Sequence, residues 1–183
     1  MKKVFTVLFC LMLGISAMAQ QKIQLRSADK AECVKSDMTS LRASFSFSTI
    51  DAEDVTTKGG DFSWISMPNT VIGGNEGDPQ IPVINQLIAV PVGAQPTITV
   101  TSYSSRDYNL AEMGVKTIVP RQRPVRKDQD PNDMPFVMNQ AAYQTRGMHS
   151  EPQASVEVYG TMRGVNLGSM TIEPVSYDPV SNT

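Results

Sequence analysis

The sequence LRASFSFSTI at residues 41–50 decides the fold class of this chain. In residues 41–48 the apolar side chains Leu41, Ala43, Phe45 and Phe47 occupy one phase of a two-residue alternation, and arginine and serine side chains occupy the other. Successive side chains of a β-strand point to opposite faces of a sheet, so the pattern predicts a strand with one buried and one solvent-exposed face. Antiparallel sheets commonly present such a pair of faces.

Further short segments of strand character lie on both sides of this one. Lys58, Gly59 and Gly60 predict a hairpin turn, after which residues 62–67 resume the alternation and place Trp64 in the core with Phe62. The run TITVTSY at 97–103 is rich in β-branched residues and predicts another strand. The other predicted strands are 22–25, 83–92, 115–119, 155–160 and 165–172, with the apolar run 87–90 buried on both sheet faces.

Turn and helix signals complete the outline. Residues 107–114, DYNLAEMG, form the only plausible helix, with Asp107 as its N-cap and Gly114 as its end. The glycine-rich loop 73–79 needs positive φ at several positions, and a phase slip at 168–169 predicts a β-bulge. We therefore predict an all-β fold: an antiparallel β-sandwich of about eight short strands, a long exposed proline-rich loop and at most one short helix.

The long loop is VPRQRPVRKDQDPNDMP, residues 119–135. Its four prolines fix φ and remove backbone donors, so neither a helix nor a central strand can pass through it. Four basic side chains come first and three aspartates follow, so the segment has little with which to build a core. Long loops in compact domains are usually functional or disordered. The loop is either a solvated linker or a stiff strip that offers a long cation to an acidic pocket of a partner, with Arg126 and Lys127 most exposed.

The N-terminal residues predict export. Lys2 and Lys3 form a positive region, residues 4–15 an apolar one, and Ala17–Ala19 an A-x-A cleavage site. We expect a signal peptide at 1–19, cleavage between Ala19 and Gln20, and a mature chain that passes through the periplasm and is secreted or held at the cell surface. The apolar run is too short for a comfortable membrane span, and no later segment could cross a bilayer.

Charge and cysteine content limit the functions of the mature chain. Cleavage removes two lysines and no acid, so the 16 basic and 18 acidic side chains become 14 and 18, a net charge of −4. That charge argues against a general nucleic-acid binder, which needs a basic face. Only Cys33 survives cleavage, so no intrachain disulfide is possible, and its thiol is interpreted as a buried or incidental one.

No catalytic or metal-binding pattern stands up in the sequence. Cys33 and His149 are the only thiol–imidazole pair, and neither lies in an activating motif. The oxygen spacing of Asp128, Asp130 and Asn132 begins like a calcium loop, but an aspartate replaces the glycine at the sixth position and an asparagine the glutamate at the twelfth. We expect no cofactor, no metal and no enzymatic activity of the chain itself.

Several segments occur in an order that resembles the N-terminal propeptide of the gingipains, a family of secreted cysteine endopeptidases, with the lysine-specific branch as the nearer likeness. These segments are TKGG at 57–60, GDPQIP at 77–82, LIAVPVGA at 87–94, DPNDMPFV at 130–137, GTMRGV at 160–165 and PVSYD at 174–178. The resemblance covers essentially the whole mature chain, residues 20–183, as one propeptide domain.

The resemblance implies a prodomain that keeps a protease latent and assists its folding, in cis or in trans. Such propeptides form a β-sandwich beside the catalytic domain and lay a basic loop residue into its specificity pocket. The residue four positions before the proline of Asp130-Pro131 is Lys127, which implies a lysine-specific partner, although neighbouring Arg126 leaves the register open. Asp128 after this lysine and the stiffening residues Pro124 and Pro131 belong to the same expected site.

Two further expectations follow. Family propeptides continue beyond the region of 177–179 into another strand, so this sequence is expected to lack its last strand and to leave a sheet edge open. The alternative function, from another class, is a surface adhesion or carbohydrate-binding β-sandwich without a protease partner. It would use Trp64, Tyr103 or Tyr108 as a stacking platform.

Overall fold

The computed structural model of the chain describes residues 21–25, 28–147 and 153–183. They form an all-β fold with nine strands in three antiparallel sheets. The predicted signal peptide, its cleavage site at Ala19 and Gln20, and His149 lie outside the described residues. The strands are β1 Gln21–Gln24, β2 Lys30–Ser36, β3 Leu41–Ser46, β4 Thr49–Thr57, β5 Gly60–Ser66, β6 Val71–Ile72, β7 Pro82–Val90, β8 Gln153–Met162 and β9 Val165–Glu173.

The first sheet has the order β1-β4-β5 and carries the main core. Strands β4 and β5 form a hairpin in which Thr57 pairs with Gly60, so Lys58 and Gly59 make the turn that the sequence predicts. The buried side chains of this sheet pack against the chain that follows residue 108. That core cluster consists of Ile23, Ala52, Ile65, Leu110, Val115 and Ile118.

Two other sheets complete the strands. Strands β2 and β3 form a separate hairpin, in which residues 41–46 have the predicted strand structure. The predicted strand 41–50 is nevertheless two strands, because β3 ends at Ser46 and β4 begins at Thr49, and the expected buried face is not buried, since Leu41 is 44% exposed. The larger sheet has the order β6-β7-β9-β8. Its β8–β9 hairpin turns at Arg163 and Gly164, whose φ angles of 52° and 81° are both in the left-handed region that two-residue hairpin turns require.

The predicted strand 115–119 belongs to no strand ladder and makes a single parallel bridge to β5, with Val115, Ile118 and Val119 buried. Its Ile118 is fully buried and lies parallel to Ser63 of β5, with hydrogen bonds from the Ser63 amide to the Thr117 carbonyl and from the Val119 amide to the Ser63 carbonyl, both 2.9 Å. This segment leads directly into the proline-rich loop, so the loop starts from the most buried part of the chain.

A buried tyrosine, Tyr143, and a partly buried one, Tyr177, hydrogen bond to the backbone of Ile118. The Tyr143 hydroxyl donates to the Ile118 carbonyl at 2.6 Å, and the Ile118 amide donates to the Tyr177 hydroxyl at 3.3 Å. Burial raises the pKa of both Tyr143 and Tyr177 above the ordinary value, since the ionised form would lose its hydration. Both side chains therefore remain neutral hydrogen-bonding groups.

The helix prediction at 107–114 is wrong. The chain there makes only a turn, in which Asn109 rather than Asp107 caps the amides of Ala111 and Glu112 and which ends at Gly114 with φ 75°. The α-helix that the described residues contain, α1, is Gln140–Gln144, capped by the Asn139 side chain, and a 3-10 turn covers Pro131–Asp133. Both are too short for apolar periodicity to reveal them.

Two strand predictions also need correction. Residues 97–103 lie outside every strand, because their alternation specifies an extended chain but no neighbour to pair with. The run 87–90 is covered on one face only: Val90 is buried, whereas Leu87 is 56% exposed. A continuous apolar run therefore marks a strand here but not the number of its covered faces.

Two local predictions are displaced. The register irregularity of the β8–β9 pair lies between Val158 and Gly160 on β8, not at residues 168–169 of β9. Gly160 has φ 143°, a backbone conformation that favours glycine, and this explains the position. Trp64 is 42% exposed rather than in the core. It shares a strand face with Phe62, but the ring of Phe136 stacks on Phe62 alone.

Candidate functional site

The proline-rich loop rises from a base that hydrogen bonds to the glycine-rich loop 73–79. The Gln80 amide donates to the Val119 carbonyl at 2.9 Å, and the Arg121 amide donates to the Asp78 carbonyl at 2.8 Å. The Gly77 amide donates back to the Arg121 carbonyl at 2.8 Å. Gly77 has φ 86°, so the predicted positive φ in this loop serves to turn its amide toward the base of the long loop.

The side chain of Gln122 joins the two ends of the loop. Its Nε2 donates to the carbonyls of Pro120 at 3.0 Å and Val137 at 2.8 Å, and its Oε1 accepts from the Val137 amide at 3.0 Å. We call this junction between residues 120–122 and Val137 the neck of the loop. One amide side chain there takes the place of backbone pairing between two strands. The chain between these two ends is thereby closed into a defined loop.

Lys127 and Asp128 occupy the outer tip of the loop. The Gln129 amide donates to the Arg126 carbonyl at 3.1 Å, so Lys127 and Asp128 are the two central residues of a four-residue turn. The Gln129 side chain also accepts from the Arg126 amide at 3.3 Å. All residues from 123 to 133 are exposed, as the sequence predicts for this strip.

A second turn follows the tip without a gap. Asp130 caps the 3-10 turn Pro131–Asp133, since its side chain accepts from the Asn132 amide at 2.8 Å. Pro131 occupies the first turn position, where its missing amide costs nothing. The ammonium of Lys58, from the β4–β5 hairpin turn, donates to the Pro131, Asn132 and Met134 carbonyls, with Nζ–O distances of 3.4 Å and 3.0 Å to the first and last.

An aromatic contact fixes the end of the loop beneath this turn. The rings of Phe136 and Phe62 stack with centroids 5.9 Å apart and planes inclined by 28°. Gly59 lies directly against the Phe136 ring, and a Cβ at that position would overlap with ring atoms. The β4–β5 hairpin therefore holds the loop by an ammonium, a glycine and a phenylalanine.

The lysines of the described residues differ in what their ammonium groups contact. Lys127 has no acceptor there, and neither does the guanidinium of neighbouring Arg126. Every other lysine of the described ranges is engaged. The partners are Asp51 for Lys22 at 3.5 Å, Glu32 for Lys30 at 2.6 Å, Asp37 for Lys35 at 2.8 Å, Asp54 for Lys116 at 3.0 Å, and the three carbonyls already named for Lys58.

The structure offers no other chemistry at the loop. The parts of the chain that it describes contain no group of three or more His, Cys, Asp or Glu side chains placed to hold a metal ion. Cys33 is exposed on β2, where every residue is exposed, so of the two interpretations the buried thiol is wrong and the incidental thiol is left. Among the helices of the described ranges, none has the length and apolar character needed to span a membrane.

The sequence predicts that the strip containing Lys127 is exposed, as the structure shows, but it does not indicate the residues that hold the loop. Its pattern indicates Lys58 only as part of a hairpin turn and Gln122 only as part of the loop. A signal for Lys58 was present, however. The segments 57–60, 77–82 and 130–137, separate in sequence and each part of the family resemblance, meet at the base of this loop.

Comparison with known proteins agrees with this architecture. The family model Propeptide_C25 matches residues 20–183. Lys-gingipain of Porphyromonas gingivalis and its W83 form are each 38% identical over 184 residues, which is 100% of this chain and 11% of theirs. The chain thus spans a small part of the length of these relatives.

Solved structures give the same result at the level of the fold. A structure that addresses the zymogenic latency of gingipain K from Porphyromonas gingivalis is similar to this chain, with a TM-score of 0.82 and 39% sequence identity. The similarity covers 90% of this chain and 91% of that chain. The complex of RgpB pro- and mature domains from the same organism has a TM-score of 0.66 at 18% identity, over 83% of this chain and 77% of that chain, and supports the fold alone. This chain therefore belongs to the C25 propeptide family and is a gingipain-type prodomain rather than a catalytic domain.

Proposed function

We propose that this prodomain keeps a gingipain-like cysteine protease of lysine specificity latent by placing Lys127 in the acidic specificity pocket of the catalytic domain. The observation that carries the proposal is the state of the Lys127 side chain. It lies at the exposed tip of an anchored turn and has no acceptor in the described residues, whereas the other lysines there are all engaged.

The energetics of such docking favour a lysine on a pre-ordered loop. An ammonium that pairs with a pocket carboxylate away from water is a hot-spot contact that contributes about 2 kcal/mol or more. Pro124 and Pro131 and the two successive turns restrict the loop before docking, so less conformational entropy is lost on binding. A free ammonium also has no internal bond to break before it enters the pocket.

Lys127 is a better candidate than Arg126 for the pocket. Neither side chain has an acceptor among the described residues, but Arg126 occupies the first position of the turn and Lys127 the second, at its outer corner. Asp128 then follows at the third position, where its carboxylate would lie next to the bond after Lys127. In this proposal the acidic Asp128 and the rigid turn together slow cleavage of that bond.

Inhibition of a lysine-specific enzyme by loop variants tests the proposal. The chain from Gln20 onward is mixed with Lys-gingipain, and the inhibition constant is measured for the parent, Lys127→Ala and Arg126→Ala. We expect Lys127→Ala to raise the inhibition constant by about 30-fold or more, the equivalent of about 2 kcal/mol of lost binding. Arg126→Ala should raise it only a few-fold, on the order of one exposed charge.

The matched control is Arg123→Ala, which removes a basic side chain from the same strip. Arg123 makes only a long 3.9 Å contact to Glu76, so its loss should leave inhibition near that of the parent. If Lys127→Ala inhibits as well as Arg123→Ala does, the pocket assignment is wrong. If Arg126→Ala is the variant that loses inhibition, the register moves by one residue.

The proposal has two broader parts. The prodomain also assists the folding of its catalytic domain, and the chain is exported. The proposed route begins with a signal peptide at residues 1–19, and the family match starting at residue 20 supports that boundary. The prodomain would then act in the periplasm and at the cell surface. The family match also favours this function over a carbohydrate-binding one, for which the exposure of Trp64 and Tyr103 is the remaining support.

A further inference from the structure

The tip of the β4–β5 hairpin contacts the proline-rich loop from a distant part of the sequence. The Lys58 ammonium binds three carbonyls of the 3-10 turn, at residues 131, 132 and 134. The Pro131 carbonyl also accepts from the Met134 amide at 3.4 Å, and the Lys58 ammonium adds a positive charge against this carbonyl and its two neighbours, which neutralises their partial negative charge. Lys58 is itself exposed, which makes a purely core-stabilising role a poor explanation of its position.

The contact reaches Lys127 through consecutive turns. Asp130 caps the 3-10 turn that Lys58 holds, and the preceding residue, Gln129, closes the tip turn by its bonds with Arg126. No free linker separates the two turns. On the other side Gln122 fixes the neck, so the tip is held between two anchors, one at the neck and one at Lys58.

We infer that Lys58 is a positioning residue for Lys127, and that the inhibitory device comprises the hairpin tip as well as the loop. This inference rests on the proposed function. Lys58 holds the turn that fixes the direction of the tip, and its own ammonium is occupied by this contact. Lys58 therefore serves to position Lys127.

A double-mutant cycle tests the inference. The variants are Lys58→Met, which keeps the length of the side chain without its donors, Lys58→Arg, Lys127→Ala and the combination of Lys58→Met with Lys127→Ala. We expect Lys58→Met to raise the inhibition constant toward Lys-gingipain about tenfold, as for loss of hydrogen bonds from a charged group, and Lys58→Arg to recover part of the loss. In the Lys127→Ala background, Lys58→Met should have no further effect, because it acts through Lys127.

Two measurements separate this role from simple stabilisation. Lys35→Met removes another engaged, exposed lysine and should change neither inhibition nor loop exchange. Hydrogen exchange, measured without any protease, should show the Gln129, Asp133 and Met134 amides exchanging about tenfold faster in Lys58→Met, while β4 and β5 remain protected.

Several outcomes would overturn the inference. They are unchanged loop exchange in Lys58→Met, parent-like inhibition by Lys58→Met while Lys127→Ala fails to inhibit, and an equal additional loss in the Lys127→Ala background. Parent-like inhibition by Lys127→Ala instead counts against the proposed function. The exchange experiment then still decides by itself whether Lys58 holds the loop.

Discussion

At the scale of single residues, the loop depends on a close approach between the backbone of the hairpin turn and an aromatic ring. Gly59 lies against Phe136, and the hairpin turn could accept other residues if that ring were absent. The sequence shows Lys58, Gly59 and Gly60 only as a turn signal. The packing of the Phe136 ring against Gly59 is a contact between distant segments, which a local sequence pattern does not encode.

Gly59→Ala should therefore displace Phe136 and loosen the loop. The added Cβ overlaps with the ring, so the Phe62–Phe136 stacking must open, at a cost of about 1–3 kcal/mol. Thermal unfolding of the variant measures the loss. Gly60→Ala is the informative comparison, because no atom lies within 4 Å of a Cβ there and only the strain of its φ of 126° remains. A Gly59→Ala protein as stable as the parent would contradict the contact.

At the scale of elements, strands could be predicted where a local sequence pattern specifies them. Strand prediction failed where pairing with a distant segment determines whether a strand forms. Residues 41–46 and the β4–β5 hairpin have the predicted structure, because alternation and a two-residue turn specify them. Residues 97–103 show the opposite case, with strand composition but no strand. The loop was predictable from its prolines, whereas the neck that closes it was not, since a single glutamine forms it.

The neck predicts the effect of Gln122→Met. Methionine nearly fills the volume of glutamine but loses three hydrogen bonds, and it leaves the partly buried Val137 amide without its acceptor. We expect a loss of about 1–3 kcal/mol of unfolding free energy and faster amide exchange at Val137. Gln86→Met on β7, where the side chain bonds only to the Leu87 carbonyl, should have little effect. Similar exchange at Val137 in both variants would argue against the neck.

At the scale of the whole molecule, several surface carboxylates link stability to pH. Hydrogen bonds from Lys35 and Thr39 lower the pKa of Asp37, and a hydrogen bond from Lys116 lowers the pKa of Asp54. Hydrogen bonds from Ser48 lower the pKa of Asp29. At pH values near the ordinary carboxyl pKa of 3.8 the unfolded chain binds more protons than the folded one, so stability rises with pH there.

The expected result is a melting temperature that is steady near neutral pH and falls from about pH 5 downward as these groups protonate. Asp54→Asn should flatten the fall, because it removes one of the groups whose pKa differs between the two states. Thermal unfolding across this range measures both curves. A melting temperature that rises on acidification would contradict the lowered pKa values of these carboxyl groups.

The position of Ile118 has a consequence for the order of events during biosynthesis. The fully buried Ile118 immediately precedes the first residue of the loop. The base of the loop therefore has a fixed position only once the core around Ile118 has formed. We therefore expect the Lys127 turn to form only after these core contacts. Under the proposed function, we expect a prodomain whose core has not yet formed to be unable to inhibit its protease, even partly. Latency would begin in one step, when the last core contacts form.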